Sequence, residues 1–126
     1  MVERIQKIPD PRHPIELHQN SKRVVVTIAG EIVADTTRAL ALKEASYPVV
    51  LYIPREDVDM RRFSKSATQT WCPYKGEASY YSSEIGGKRA ADAAWSYETP
   101  FPAVAAIAGC LAFYPGRVDA IEQRQG

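Results

Sequence analysis

The segment Trp71–Tyr81 (WCPYKGEASYY) concentrates the side chains of this chain whose types suggest chemistry or ligand binding. Within it, the thiol of Cys72 lies three residues before the amine of Lys75, and a nearby cation favours the thiolate form of cysteine. Pro73 fixes its own φ angle, and Gly76 permits a left-handed backbone. We therefore expect a tight turn that leads into a strand and presents the two residues between the proline and the glycine.

Nucleophilic use of Cys72 requires a general base, and both histidines of the chain, His13 and His18, lie far from it in the sequence. The commoner arrangement is a cysteine that packs as a small apolar residue, with Lys75 solvated beside the turn, and we expect that arrangement. His13 lies in a proline-rich stretch, so we expect an exposed imidazole in a loop rather than a catalytic group.

Two aromatic residues, Trp95 and Tyr97, lie two positions apart on a predicted strand, so their side chains share one face of it. Such a pair most often belongs to the core. If the face is open instead, it makes an aromatic wall for a flat or cationic ligand. We place the candidate site where the turn around Tyr74 meets this face.

Two carboxylates complete the set of candidate residues. Asp35 ends a predicted hairpin, where a carboxylate most often caps a turn, and Glu44 ends the next predicted strand. Because hairpin ends and turns meet at the rim of a curved sheet, we expect Asp35, Tyr74, Lys75 and Trp95 to line one concavity that suits a polar or zwitterionic ligand. The predicted ligand-binding residues are Asp35, Cys72, Tyr74, Lys75, Trp95 and Tyr97.

Length and charge exclude several classes of function. A chain of 126 residues is long enough for one domain with its own core. A net charge of +1 gives no basic field for nucleic acid. No apolar run approaches the roughly 20 residues of a membrane helix, and residues 1–12 lack the apolar stretch of a signal peptide. With two cysteines and no disulfide framework, we expect a cytoplasmic protein without nucleic-acid or membrane partners.

Sequence motifs for common catalytic and metal sites are absent. The chain has no Gly-x-Gly-x-x-Gly, no phosphate-binding loop, no His-Glu-x-x-His and no Gly-x-Ser-x-Gly. It also has no Cys-x-x-Cys, and its two histidines are scattered. We therefore expect neither a cofactor nor a stoichiometric metal ion.

Strand patterns dominate the chain. Arg23–Ala29 is rich in β-branched residues and Glu31–Asp35 alternates polar with apolar residues, so the two predict a hairpin around Gly30. Ala39–Glu44 fits a strand or a helical turn, and we favour a strand because the segment is short and lies between strands. Further strands are predicted at Val49–Ile53 as a central strand, and at Glu77–Ser82, Ala91–Tyr97 and Cys110–Tyr114. Gly86-Gly87 predicts a hairpin turn.

Helix is limited to a short segment from Pro54 to Phe63 and one turn within Ala103–Gly109. The prolines at positions 9, 11 and 14 predict an extended arm over residues 1–14, and residues 119–126 are expected to form a tail that frays from Gln123. The predicted fold is mainly β: a single domain (1–126) built as a small two-sheet roll or tent-like barrel with one or two short helices.

The motif Cys72-Pro73-Tyr74-Lys75-Gly76-x-Ala78-x-Tyr80 resembles the hallmark of a bacterial and fungal family, domain-of-unknown-function family 427. The resemblance extends over nearly the whole chain, through His13-Pro14-Ile15, Gly30-x-x-Val33-Ala34-Asp35, Glu44, Tyr52-Ile53-Pro54-Arg55-x-Asp57-Val58, Trp95-Ser96-Tyr97-x-x-Pro100 and Ala112-Phe113-Tyr114. It implies a compact β fold similar to that of the Mss4 and methionine-sulfoxide-reductase B group.

The resemblance brings no established activity, substrate or catalytic residue. Several members of the Mss4 group hold zinc through paired Cys-x-x-Cys motifs, which this chain lacks, so neither the metal nor the reductase chemistry carries over. A nucleotidyltransferase-like label is attached to the family, but the chain has no Gly-Ser motif with paired acidic metal ligands.

Three hypotheses of function follow from the sequence. The first is a module that binds a small molecule or peptide where the Cys72–Gly76 turn meets the Trp95/Tyr97 face. The second is an enzyme that uses Cys72 as nucleophile, or Asp35 and Glu44 as acid and base. The third is an interaction domain without a pocket.

Overall fold

The computed structural model describes residues 4–125, and within that range the chain forms ten β-strands and four short 3-10 helices. The strands are β1 (Ile15–Gln19), β2 (Arg23–Ile28), β3 (Glu31–Thr36), β4 (Leu40–Glu44), β5 (Val50–Tyr52), β6 (Phe63–Cys72), β7 (Gly76–Ile85), β8 (Lys88–Ser96), β9 (Ala112–Phe113) and β10 (Ala120–Arg124). The 3-10 helices span Arg55–Asp57, Met60–Arg62, Pro102–Ile107 and Pro115–Arg117. The prediction of a mainly β fold with little helix is confirmed.

The strands pair into three antiparallel sheets, with the orders β1-β4-β5, β10-β2-β3 and β6-β7-β8-β9. The sequence predicts two sheets, and the difference arises because β5 and β9 meet at one isolated bridge, between Ile53 and Leu111, instead of along a ladder. None of the three sheets closes into a barrel in the described part of the chain. The likeness to the Mss4 architecture stays a prediction.

Two apolar clusters form the core, and β5 and β7 lie between them. Because side chains alternate along a strand, Leu51 of β5 packs against the first cluster while Tyr52 belongs to the second. Likewise, Tyr81 of β7 belongs to the first cluster and Tyr80 to the second. β7, one of the two inner strands of the four-stranded sheet, is therefore buried on both faces.

The segment Val49–Ile53 is not a central strand as the sequence predicts, because β5 pairs along its length with β4 alone. Its continuous apolar pattern has a different cause. Leu51 packs against one core cluster and Tyr52 belongs to the other, so apolar side chains are needed on both faces of this edge strand.

The predicted helix from Pro54 to Phe63 is wrong. Two single 3-10 turns replace it, and Val58 between them has extended dihedral angles (φ −109°, ψ 136°) and bridges Ala34 of β3. Val58 is buried in the first cluster, so the burial of this one apolar side chain outweighs the favourable placement of carboxylates in a first helical turn.

The segment after Asp119 is more ordered than the sequence predicts. Residues 120–124 form β10, which pairs with β2 through register positions such as Ile121 opposite Val26, so the predicted tail is wrong. The local pattern does not indicate this strand, because three of its five residues, Glu122, Gln123 and Arg124, are polar and exposed. The polar segment Ser64–Thr70, which is outside the predicted strands, lies within β6. Residues 1–3 of the predicted arm and Gly126 of the predicted tail lie outside the described residues.

Ending the chain at Asp119, which removes β10, is expected to lower the free energy of unfolding by about 2 kcal/mol or more. The loss has two sources: β2 loses a partner strand, and burial of Ile121 alone contributes roughly 1–2 kcal/mol. Urea unfolding followed by tryptophan fluorescence measures the change. A chain that ends at Arg124 is the control and should match the full chain. Equal stability of the two truncated chains would mean that β10 is a detachable tail.

Candidate functional site

A cavity of about 870 Å³ lies beside β5 and β9, and Leu51 and Phe113 are among the residues that line it. Ile53 and Leu111, next to these strands, exchange both backbone hydrogen bonds at 2.8 Å. Beyond this bridge, Ala112 and Phe113 pair with β8, so β5 and β9 belong to different sheets. The cavity therefore lies at the junction of two sheets.

Most of the cavity wall is apolar. Leu51 of β5 forms one side, Trp95 and Phe113 form the other, and Val26 and Ile121 come from the sheet that contains β2 and β10. At the rim, the loop between β4 and β5 exposes large apolar side chains, with Tyr47 60% and Val49 54% exposed.

The polar part of the wall is a cluster of three residues that we call the Glu44 cluster: His13, Glu44 and Lys75. One carboxylate oxygen of Glu44 accepts a hydrogen bond from Lys75 Nζ, and the other accepts one from His13 Nε2 at 2.8 Å. The side chains of Lys75, Glu44 and His13 are 9%, 14% and 25% exposed. The ion pair is therefore largely withdrawn from water, where its attraction is only weakly screened.

The backbone around the Cys72–Gly76 turn explains why Lys75 points inward. Lys75 N–H donates to the Cys72 carbonyl at 3.3 Å, and the Lys75 carbonyl accepts from Phe101 N–H at 3.1 Å. Gly76 has φ +108°, and a Cβ at this position would lie 3.7 Å from the Thr99 carbonyl oxygen. That distance is an ordinary contact, so it is the backbone angle that requires a glycine here. This backbone geometry places Lys75 where its side chain reaches Glu44.

The N-terminal arm brings His13 to the cluster. The Asp10 carboxylate accepts hydrogen bonds from the backbone N–H groups of Arg12 and His13 at 2.8 and 3.0 Å, which fixes a turn. Upstream, Lys7 N–H donates to the Pro73 carbonyl at 2.8 Å, so the arm lies along the Cys72–Gly76 turn. The His13 ring stacks on Tyr74 with a centroid distance of 3.9 Å and an interplanar angle of 6°.

Charge and burial act in opposite directions on Glu44. Burial alone would raise the pKa of its carboxyl group, but the hydrogen bonds from Lys75 and then from His13 outweigh that effect and lower the pKa below its usual range. Glu44 is therefore ionised at neutral pH, and as a carboxylate it can only accept, so His13 donates Nε2–H to it. Under the cluster, Lys75 Nζ lies 5.8 Å from the centre of the Tyr97 ring, within cation–π range.

The structure brings most of the sequence-predicted site residues together. Cys72, Tyr74, Lys75 and Trp95 line the cavity, and Tyr97 is buried beneath Lys75. Burial raises the pKa of the Tyr97 hydroxyl, which keeps it neutral. Their roles in ligand binding stay a prediction.

Asp35 does not belong to this group, and the expected concavity shared by Asp35 and Lys75 is wrong. The Asp35 carboxylate accepts hydrogen bonds from Arg23 Nε at 2.7 Å and from a second guanidinium nitrogen at 2.5 Å. Both residues lie on the exposed side of the β2–β3 hairpin. Glu44, one strand further along the chain, supplies the negative charge in the cavity instead.

Two expectations about exposure are also wrong. Lys75 is buried and not solvated, and His13 is partly buried in the Glu44 cluster and not a free loop imidazole. The turn signal Asp10-Pro11 shortly before His13 could have indicated that the histidine backbone is fixed. No local pattern indicates that Lys75 points inward, because its partner lies 31 residues away in the sequence.

The described residues were also compared with the requirements of a reactive thiol, a metal site and a membrane-spanning helix. Cys110, the second thiol, is buried away from this cavity, and burial raises its pKa, which disfavours the reactive thiolate. Within residues 4–125, no group of three His, Cys, Asp or Glu side chains is placed to hold a metal ion. Over the same residues, no helix has the length and apolar character needed to cross a membrane.

Replacing Glu44 by Gln is expected to lower the free energy of unfolding by about 3 kcal/mol, because it leaves the buried Lys75 cation without its carboxylate. Adding Lys75→Met to this variant should restore part of the loss, since the unpaired charge is then removed. Urea unfolding of the two single variants and the double variant measures the coupling.

The matched control is Asp35→Asn, which breaks the exposed ion pair with Arg23 and should cost less than about 1 kcal/mol. If the effects of Glu44→Gln and Lys75→Met on the free energy of unfolding are additive, the two side chains do not interact, which would contradict the buried ion pair.

Comparison with known proteins identifies a family. None of the curated proteins matches the chain. The family described as a domain of unknown function (DUF427) matches residues 16–124, which includes Glu44, the Cys72–Gly76 turn and the strands that surround the cavity. The chain therefore belongs to the DUF427 family.

Proposed function

We propose that this domain binds a small organic molecule or a short peptide in the cavity beside β5 and β9. The observation that carries the proposal is the Glu44 cluster in the wall of an otherwise apolar cavity. A volume of about 870 Å³ lies in the range of ligand pockets, which are mainly apolar with a few placed polar groups.

The energetics of the ion pair support a role in recognition. Withdrawing Lys75 and Glu44 from water costs desolvation energy, and well-packed apolar residues in their place would often be as stable. A pair of this kind beside an open cavity supports a binding role better than a purely structural one. Lys75 has three N–H donors, and Glu44 is its one hydrogen-bond partner found among residues 4–125, so a ligand acceptor can use the others.

The aromatic side chains suit the body of such a ligand. Tyr74 and Trp95 line the cavity, and exposed Tyr47 lies at its rim. Aromatic faces bind flat or apolar groups with large contact area, and a ligand here would also cover the apolar rim that is now in contact with water.

Catalysis is the second candidate function, and one observation favours it. Cys72 and His13 line the same cavity, and Glu44 orients the imidazole. A histidine oriented by a carboxylate is the usual general base for a cysteine nucleophile. A bound ligand that becomes covalently attached to Cys72 would support the enzyme. Binding that is fully reversible and does not need the thiol supports the binding module.

A fragment library screened by intrinsic fluorescence and amide NMR tests the proposal. The two tryptophans of the chain, Trp71 and Trp95, both line the cavity, so bound fragments should change the emission. Val49→Ser should weaken the fragments that bind by about fivefold or more, because it removes an apolar contact at the rim.

Ile32→Ser is the matched control for this experiment. Ile32 is as exposed as Val49, at 54%, but lies on β3 outside the cavity, so fragment affinity should not change. Fragments that bind both variants equally, or that shift amides away from β5 and the Cys72–Gly76 turn, would place the ligand site elsewhere.

A further inference from the structure

The Glu44 cluster brings two opposite charges to the wall of the cavity. Apart from the imidazole of His13, Lys75 and Glu44 are the described lining residues that carry a full charge near neutral pH. Their side chains are hydrogen-bonded to each other and are 9% and 14% exposed. The two charges therefore cancel in a place where water screens them only weakly.

Both members of this ion pair keep unused hydrogen-bonding capacity. The ammonium group of Lys75 has three N–H donors, and Glu44 is its one hydrogen-bond partner among residues 4–125. The Glu44 carboxylate has about four acceptor sites, and the hydrogen bonds from Lys75 and His13 use two of them. Because both side chains line the cavity, spare donors and spare acceptor sites lie next to each other in its wall.

A balanced ion pair discriminates against a charged ligand. An anion beside Lys75 also meets the carboxylate of Glu44, and a cation beside Glu44 also meets the ammonium group of Lys75. Either ligand would leave a net charge that is withdrawn from water, which is costly. An uncharged group that combines an acceptor with a donor uses the spare capacity of both side chains without this penalty.

An amide with its C=O and N–H on the same edge has the required chemistry. In a primary carboxamide or a cyclic amide, the C=O can accept a hydrogen bond from Lys75 while the N–H donates to Glu44. In a trans peptide bond the two groups point in opposite directions, so the main chain of a peptide does not offer both to one ion pair. The cluster therefore favours a primary or cyclic amide over a peptide main chain.

The side chains beside the cluster suit a flat body on that amide. Trp95 Nε1 donates to the Tyr52 hydroxyl at 3.4 Å, so the indole offers the cavity its ring surface and not its single donor. Leu51 and Phe113 add apolar surface to the same wall. A flat ring packs on such surfaces over a large area. The side chain of a glutamine or asparagine carries its amide on a flexible chain and would leave them uncovered.

We propose that the ligand is a flat, uncharged small molecule that presents a primary or cyclic amide to Lys75 and Glu44; this rests on the proposed function of the cavity. The amide oxygen accepts a hydrogen bond from Lys75, the amide N–H donates one to Glu44, and the ring body packs on Trp95 and the apolar wall. Carboxylates, phosphates and amines are rejected because each would unbalance the ion pair.

Four probes that share one naphthalene body test the proposal in the unmodified protein. They are 2-naphthamide, methyl 2-naphthoate, 2-naphthoate and 2-naphthylmethylammonium, and titrations followed by amide NMR measure their affinities. We expect 2-naphthamide to bind at least tenfold more tightly than the two charged probes. It should bind about fivefold more tightly than the ester, which keeps the carbonyl acceptor but has no N–H donor.

The methylamide of N-acetylglutamine distinguishes a small molecule from a peptide side chain. This probe supplies the same primary amide without a flat body, so it should bind at least tenfold more weakly than 2-naphthamide. Equal or tighter binding of the glutamine probe would assign the amide to a peptide side chain and would overturn the proposed ligand class.

A double variant tests whether the ion pair makes the distinction. Glu44→Leu with Lys75→Met replaces the pair by apolar residues, an exchange that is often neutral for stability. In this variant the preference for 2-naphthamide over the ester should fall below about twofold. The matched control is Asp35→Asn, which breaks the exposed pair with Arg23 and should keep the preference. A preference that survives in the folded double variant would contradict the proposal.

The outcomes separate this inference from the proposed function. If library fragments bind in the cavity but the charged naphthalene probes bind as tightly as 2-naphthamide, the binding function stands and the amide inference is overturned. The same conclusion holds if the amide and the ester bind equally, or if fragments bind there and 2-naphthamide does not. If neither the fragments nor 2-naphthamide bind in the cavity, both proposals fail.

Discussion

The buried carboxylate of Glu44 is the constraint on which the candidate site depends. It receives Lys75 from the Cys72–Gly76 turn and His13 from the N-terminal arm, so one side chain at the end of β4 ties together three distant parts of the chain. A buried charge without partners is costly, and each partner therefore has to be held in place by its own backbone. Gly76 and the turn at Asp10 supply that backbone geometry.

The cavity follows from how the sheets are joined. One bridge between Ile53 and Leu111 joins the segments that carry β5 and β9, and beyond it β9 pairs with β8, so the two strands belong to different sheets. The cavity at this junction has an apolar wall with the Glu44 cluster in its lining. Fold and site are thus linked through the join between two sheets.

Sequence patterns predicted the elements whose signals are local. The β2–β3 hairpin, the turn at Gly86-Gly87 and the turn that presents Tyr74 and Lys75 follow from short-range alternation and turn chemistry. These features depend on neighbours within a few residues, and such neighbours are visible in a single sequence.

The features that the sequence did not predict depend on distant partners. β10 pairs with a strand almost 100 positions earlier, since Ile121 lies opposite Val26, and its outer face is polar. Val58 interrupts the expected helix because it packs against the core beside Ala34. The position of Asp35 at a hairpin end predicts a site residue, yet its carboxylate accepts hydrogen bonds from Arg23 on the paired strand instead. In each case tertiary contact overrides a local preference.

Carbon NMR of the Glu44 carboxyl group during a pH titration tests the central claim most directly. If Lys75 and His13 both hydrogen-bond to this carboxylate in the folded protein, its pKa lies clearly below the ordinary glutamate value of about 4.3. Replacing Lys75 by Met should then raise this pKa, because one of the two hydrogen bonds that lower it is lost while the effect of burial remains. A Glu44 pKa at or above the ordinary value in the unmodified protein would mean that burial acts alone, and it would contradict the cluster on which this account of the site rests.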